Sequence, residues 1–282
     1  MIKRVLCALL RRMKALYAAK TYNVQIPVYV PVFKNQLLKG RRALITGGTH
    51  GIGLAIAKAF LDAGAEVMIT GRSQQRIDET IQAVGKPLLS GMELDCSKYS
   101  EGALKTLVEK DGVPDILVNN AGQILTHPFP ETDVESYDVI MNTNLKGAYF
   151  LTQDLVRVWR KEGEKKRRNI LNICSSSSLR PGNSPYVLSK WGMRTLTIGW
   201  AKTLIREGIV VNGLAPGPTA TSLFVGDGKR GINWPKNPTG RLVTEEEIAN
   251  LAVILVSDMG QMVVGDVLYA TGGSGVITVD DL

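Results

Sequence analysis

One stretch limits what this chain can fold into: Thr46-Gly47-Gly48-Thr49-His50-Gly51-Ile52-Gly53. A short apolar run, Arg42-Ala43-Leu44-Ile45, precedes it, and an apolar-periodic run, Leu54 to Leu61, follows. Strand, glycine loop, helix is the order a phosphate cradle needs. Glycine lets the backbone turn tightly and approach an anion, and the first N–H groups of the helix then face it at the positive end of the helix dipole. Four glycines in eight residues do not serve strand or helix stability, because glycine weakens both. The competing reading is a plain glycine-rich turn.

Downstream the pattern alternates. Strands are expected near 43–46, 66–70, 88–94, 116–119, 169–173, 209–214 and 267–269, and helices near 52–63, 74–83, 100–110, 136–161, 186–206 and 245–257. Short strands separated by such helices predict a parallel sheet of about seven strands covered on both faces, a single Rossmann-type α/β domain over residues 41–282. The charge run from Arg160 to Arg168 reads as a solvated helix end and loop.

The net charge of +8 suggests nucleic acid until it is located. Residues 1–42 hold ten Lys or Arg and no acid, leaving 24 basic and 26 acidic residues in the remainder. A DNA-binding face on the body is therefore not expected. Residues 1–40 form an arm. At 100° per residue, Ile2, Val5, Leu6, Leu9, Leu10, Met13, Leu16 and Tyr17 share about 140° of arc, so a basic amphipathic helix over 1–20 is expected. It is too interrupted by charge to span a bilayer. Peripheral contact with an anionic membrane and packing on protein are the two readings. Residues 21–40, broken by Pro27 and Pro31, read as an extended connector on the body. Three dispersed cysteines and two histidines indicate neither disulfides nor a metal site, which fits a cytoplasmic, reducing setting.

Chemistry-bearing residues follow the predicted strand ends, where open α/β sheets bind ligands. The second strand ends in Gly71-Arg72 instead of the acid that would accept from an adenosine ribose. A small residue beside a guanidinium suits a 2′-phosphate, with His50 in support, so NADPH is expected over NADH. Asp95 and Cys96 follow the third strand, with Asp95 a partner for an adenine amino group. Asn120, Ala121 and Gly122 follow the fourth and shape the floor under the adenosine half. Tyr186 and Lys190 stand four apart on a helix, hence on one face. A lysine cation there stabilises a phenolate and makes the tyrosine a usable proton donor.

Together these residues resemble the short-chain dehydrogenase/reductase family, single-domain type, and its 3-oxoacyl-carrier-protein reductase-like members. The shared motifs are T-G-x-x-x-G-x-G at Thr46–Gly53, N-N-A-G at Asn119–Gly122, N-x-x-G at Asn144–Gly147, Y-x-x-x-K at Tyr186–Lys190 and P-G-x-x-x-T at Pro216–Thr221. The glycine spacing differs from the G-x-G-x-x-G of two-domain dehydrogenases. The resemblance covers about residues 39–275.

The resemblance implies a reductase that turns a ketone into a secondary alcohol. Tyr186 protonates the substrate oxygen, and Lys190 binds the nicotinamide ribose and tunes Tyr186. Asn144 holds a water that links Lys190 to solvent. A serine donates to the substrate carbonyl: Ser175, in Asn172-Ile173-Cys174-Ser175, with Ser177 next. Pro216, Gly217, Thr219 and Thr221 hold the carboxamide and pyrophosphate, and Gly47, Thr49, Gly51, Ile52 and Gly53 form the cradle. The gap from Ser175 to Tyr186 is two residues shorter than the family's, which tightens the loop 179–185. Residues 222–240 read as a lid, with Trp234 on a ring or as an anchor, and His127 as a loop histidine. The partners implied are a small carbonyl substrate and further copies of the chain, as a dimer or tetramer. An NAD-linked alcohol or sugar dehydrogenase and a catalytically silent nucleotide-binding scaffold stand as alternatives.

Overall fold

The computed structural model describes residues 36–100, 102–124, 129–163, 166–221 and 232–277. The arm up to residue 35, His127 and residues 222–231 of the expected lid lie outside the described residues. Seven strands form one parallel sheet: β1 (Arg42–Thr46), β2 (Glu66–Gly71), β3 (Leu89–Glu93), β4 (Ile116–Asn119), β5 (Arg168–Ile173), β6 (Ile209–Pro216) and β7 (Val267–Ala270). Their order is β3-β2-β1-β4-β5-β6-β7. The direction of winding reverses between β1 and β4, and that reversal opens a crevice at the carboxyl ends of the two strands.

Alternate residues of each strand enter different cores, which is why the strands are apolar throughout. Ala43, Ile45, Val67, Ile69 and Val118 pack with Ile56 and Phe60 of α1 (Gly51–Asp62) and with Ile248 and Ala252 of α7 (Glu245–Val256). Leu44, Met68, Leu117 and Ile170 pack on the other face. There they meet α3 (Ala103–Asp111), α5 (Gly147–Glu162) and α6 (Pro185–Leu204) through Leu107, Leu151, Leu155 and Leu204. Each such side chain contributes about 1.5–3 kcal/mol by burial. That margin lets the same strands end in glycines and polar groups.

Two expectations need correction and one is refined. The helix expected over 136–161 is present without a break but carries one irregularity. It begins as α4 (Val134–Met141), widens into one π turn over Asn142–Lys146, and continues as α5. The Gly147 amide bonds to the Asn142 carbonyl five residues back. The end of the connector is not extended: Leu38 is fully buried in a turn in which its amide donates to Ala63 O at 2.9 Å and Lys39 N donates to Gln36 O at 3.0 Å. The charge run is not all solvated. Arg168 opens β5, is 3% exposed, and is held by Asp115 at 2.8 Å and Glu162 at 2.7 Å over the Trp159 ring. Arg160, by contrast, pairs with Glu207 at the surface.

Candidate active site

The glycine loop leaves β1 and is clamped from behind by the end of β4. Asn120 Nδ2 donates to Thr46 O at 2.9 Å and Gly47 O at 3.0 Å. The amides of Asn120 and Ala121 both donate to Thr46 Oγ1 at 3.0 Å, and that hydroxyl donates to Val118 O at 3.3 Å. Gly47 has φ +65°, a left-handed conformation. At Gly53 a Cβ would overlap Gly47 O and Asn120 Nδ2. These two glycines are steric requirements of the clamp. Asn120 thus serves as the clamp, while Ala121 and Gly122 line the space in front.

The helix that follows has no side-chain cap. His50, at the N-cap of α1, makes no cap hydrogen bond, and the first turn holds no acid. In contrast α2 (Gln74–Val84), α4, α6 and α7 are capped by Ser73, Asp133, Ser184 and Thr244. The leading N–H groups of α1 and its positive pole are left for a ligand, which is what a pyrophosphate requires. The P-G turn after β6 stands beside this loop: a Cβ at Gly51 would lie 3.9 Å from Thr221 Cγ2 and 3.8 Å from Glu245 Oε1. Thr219 Oγ1 donates to Gly217 O at 2.9 Å and Thr221 N to Thr219 O at 2.8 Å, which fixes the turn. Burial, with the Glu246 carboxylate adding, pushes the Glu245 carboxyl above its ordinary range.

In front of the loop lies a cleft of about 490 Å³ lined by Gly47, Thr49, His50, Arg72, Asp95 and Cys96, among others. Thr49 Oγ1 and His50 Nδ1 are 3.2 Å apart. Asp95 Oδ1 accepts from Ser97 N at 2.9 Å and Ser97 Oγ at 2.7 Å, so Oδ2 is the oxygen left for a ligand. Burial, reinforced by the Asp95 carboxylate, pushes the Cys96 thiol up to about 12. Cys96 is a neutral wall of the cleft and not a nucleophile.

The residues expected to carry proton transfer, Tyr186, Lys190 and Ser175, are not among those that line this cleft. Lys190 is 6% exposed. Its Nζ donates to Ile173 O, the last carbonyl of β5, at 2.8 Å and lies 5.8 Å from the centroid of the half-buried Tyr186 ring. Ser175 follows two residues after Ile173. Its hydroxyl accepts from Ser177 N and donates to Ser177 Oγ, both at 3.1 Å, so the two candidate serines share one place. Ser178 turns away, donating to Ser175 O at 2.7 Å. The shortened loop is tight: Arg180 is extended, and Gly182 lies where a Cβ would press on Val187 Cγ1 at 2.8 Å.

Asn144 sits in the π turn, a helical irregularity that often marks functional sites. Its Oδ1 accepts from Gln123 N at 2.7 Å, and its Nδ2 donates to Gln123 O at 2.9 Å and Ser189 Oγ at 3.1 Å. Both amide protons are taken. Asn144 is therefore a strut between the β4 loop and α6, and among its side-chain atoms only the second lone pair of Oδ1 remains for a water. The Gly147 of the motif has a separate cause, since a Cβ there would overlap Cys96 O.

This arrangement has counterparts. The family pattern described as enoyl-(acyl carrier protein) reductase matches residues 47–275. The chain belongs to the short-chain dehydrogenase/reductase family. Its relatives within that family include the gluconate 5-dehydrogenase of Gluconobacter oxydans (strain 621H), 35% identical, with 84% of this chain and 95% of the relative covered. The 3-oxoacyl-(acyl-carrier-protein) reductase of Thermotoga maritima is 32% identical over 84% of this chain and 98% of its own length. Among solved short-chain dehydrogenase/reductase structures, a gluconate 5-dehydrogenase from Burkholderia cenocepacia J2315, in complex with NADP and tartrate, superposes with a TM-score of 0.75 at 31% identity, covering 85% of this chain and 97% of that one. A 3-ketoacyl-(acyl-carrier-protein) reductase from Brucella melitensis, complexed with NADH, gives 0.77 at 30%, covering 85% and 100%. The chain is an oxidoreductase of this family, an enzyme of the dehydrogenase and reductase class.

Sequence reasoning missed Ser189, which no motif of the short-chain dehydrogenase/reductase family above singled out. It is fully buried, accepts from Asn144, and donates to Tyr186 O at 2.7 Å. It ties the strut to the backbone of Tyr186. Ser189→Ala leaves one Asn144 proton unpaired in the interior, a loss of about 1–3 kcal/mol. The expected result is a lower thermal midpoint and a kcat reduced about tenfold, with dinucleotide affinity within about twofold of wild type. Ser189→Thr, which keeps the hydroxyl, should restore kcat. A kcat unchanged in Ser189→Ala would detach Ser189 from Tyr186.

Proposed function

We propose that the enzyme reduces a small ketone to a secondary alcohol at the expense of NADPH, with Tyr186 as proton donor. The observation that carries this reading is the seat of Lys190. Its buried ammonium is fixed at the end of β5, beside the Tyr186 ring and two residues from Ser175. A cation there favours the phenolate that proton donation leaves behind. The dinucleotide, when bound, supplies the hydride. Tyr186 Oη delivers the proton to the substrate oxygen. The Ser175 hydroxyl turns from Ser177 to donate to that same oxygen as charge develops on it. Lys190 has two further protons beyond the one on Ile173 O, and these suit ribose hydroxyls. Thr221, in its fixed turn beside the glycine loop, takes the carboxamide.

Preference for the 2′-phosphate is supported by Gly71 and Arg72 at the cleft. β2 itself ends in Gly71 and not in an acid, and a Cβ at position 71 would press on Thr49 Cγ2 at 3.1 Å. The second reading is a sugar-acid dehydrogenase, NAD-linked and run in the oxidative direction. Relatives named gluconate 5-dehydrogenase and 2-dehydro-3-deoxy-D-gluconate 5-dehydrogenase favour it. The same four residues then act in reverse, with the phenolate of Tyr186 accepting the alcohol proton. A silent scaffold would not need the buried lysine. Assembly with further copies is supported by Tyr149 and Phe150 of α5 and Leu188 and Ile198 of α6, large apolar side chains left exposed on two long helices. A cytoplasmic setting is supported by the two buried free thiols, Cys96 and Cys174. Among the described residues no helix is long and apolar enough to cross a membrane.

Titration of the whole chain with NADPH and NADH, followed by turnover with 3-oxoacyl thioesters, keto sugar acids and steroid ketones, tests the reading. Tighter NADPH binding and reduction of one class are expected. Tighter NADH binding with oxidation of a sugar acid would install the second reading in its place.

A further inference from the structure

The cleft holds a second arginine that the adenosine-site motif does not include. Arg76, in the first turn of α2, lines it together with Gly71, Arg72 and Ser73. Neither Arg72 nor Arg76 has an ion-pair or side-chain hydrogen-bond partner among the described residues. Isolated surface arginines are ordinary, but here three acids of α2 and β3 each have one oxygen engaged elsewhere, while Asp95 lines the same cleft. Asp78 Oδ1 accepts from Gln74 Nε2 at 2.8 Å, and Glu79 Oε1 accepts from Gln75 Nε2 at 2.9 Å. Glu93 Oε2 accepts from Gln74 N at 3.3 Å, while Gln74 Oε1 accepts from Glu93 N at 3.1 Å. Gln74 and Gln75 thus occupy one oxygen on each of three carboxylates. Between the arginines, Ser73 Oγ accepts the Arg76 amide at 3.4 Å, so its own proton is left to donate. Two exposed, unpaired guanidinium side chains that line one cleft raise the positive potential there and favour an anion.

We propose that Arg76 is the second jaw of a two-arginine clamp on the 2′-phosphate of the dinucleotide, opposite Arg72, with the Ser73 hydroxyl donating between them. A phosphate dianion takes guanidinium N–H pairs from two sides at once, which one arginine cannot supply. The assignment rests on the NADPH reading and makes Arg76 a determinant of coenzyme choice. NADH offers only a ribose hydroxyl there and leaves both cations unpaired.

The test is equilibrium titration of the full chain with NADPH, NADH and adenosine 2′,5′-bisphosphate, for wild type, Arg76→Gln, Arg72→Gln and a remote charge control, Arg206→Gln. Arg76→Gln should weaken NADPH and the bisphosphate ten- to a hundredfold, while NADH changes less than about twofold. Arg206→Gln should change none of the three, and an unaltered thermal midpoint confirms that each variant is folded. If Arg76→Gln binds NADPH within twofold of wild type while Arg72→Gln loses tenfold or more, the clamp is wrong and the NADPH reading stands. If wild type binds NADH at least as tightly as NADPH and neither substitution alters that, the NADPH reading falls and the clamp with it.

Discussion

Replacing Tyr186 with Phe is expected to reduce kcat/KM for ketone reduction by about 10³- to 10⁴-fold, the upper part of what a positioned acid contributes. The ring stays in place, because the contacts that position it do not involve its hydroxyl: its backbone carbonyl is held by Ser189, and its face lies 5.8 Å from Lys190 Nζ. Dinucleotide affinity should therefore remain within about twofold. Stopped-flow measurement of a single turnover at saturating coenzyme separates the two effects. A Phe variant that still reduces ketone at the wild-type rate would assign the proton to another group, with the Ser175–Ser177 pair next in position. Lys190→Met probes the same step from below. It leaves Ile173 O without its donor and removes the charge, so both coenzyme affinity and rate should fall.

The second large effect concerns the loop. Gly53→Val places methyl carbons where Gly47 O and Asn120 Nδ2 already are. The Asn120 clamp must open or α1 must move, a disturbance of about 1–3 kcal/mol in a packed setting. Since the clamp fixes the cradle, dinucleotide affinity should fall about a hundredfold, a loss of about 2.7 kcal/mol that comes on top of the loss of stability. Gly199→Ala supplies the contrast. Gly199 lies in α6 with nothing within 4 Å of its Cβ position, so alanine there should stabilise the fold by about 0.5–1 kcal/mol and leave binding alone. Calorimetric titration with thermal unfolding on both variants checks the pair. Normal binding by Gly53→Val would mean that the loop tolerates a Cβ the geometry forbids.

These effects also show where the sequence was informative. The strands were legible because a parallel sheet buried on both faces needs continuous apolar runs, and Ala43 to Thr46 or Ile116 to Asn119 admits few other readings. The glycines were legible because their cause is steric and local. The π turn was not. Its extra residue rotates everything after it by about one helical position, and a 3.6-residue pattern read across residues 136–161 absorbs that shift without a visible break. Ser189 was hidden for a different reason. A serine inside a helix gives no sign that an asparagine 45 positions earlier donates to it. Arg168 lay inside a run of charges, and only the approach of Asp115 and Trp159 distinguishes it from its solvated neighbours. Arg76 resembled any helix-surface cation until the glutamines beside it were seen to occupy the acids. In each case what was missed is a partnership between residues distant in sequence or a neighbour's prior engagement, which residue spacing does not encode.

The bare start of α1 has a thermodynamic consequence. Four other helices carry their own terminating side chain; α1, like α3, does not, and on the reading proposed above a dinucleotide oxygen would stand in for it. A helix without its cap forgoes about 1 kcal/mol, and the bound ligand restores at least that much by completing it. The coenzyme is in this sense a missing residue of the fold. Since anything that binds only the native state stabilises it as RT ln(1 + [L]/Kd), the persistence of this enzyme in a cell is coupled to the local concentration of its dinucleotide. Depletion of the dinucleotide would then shorten the lifetime of the catalyst as well as slow its reaction.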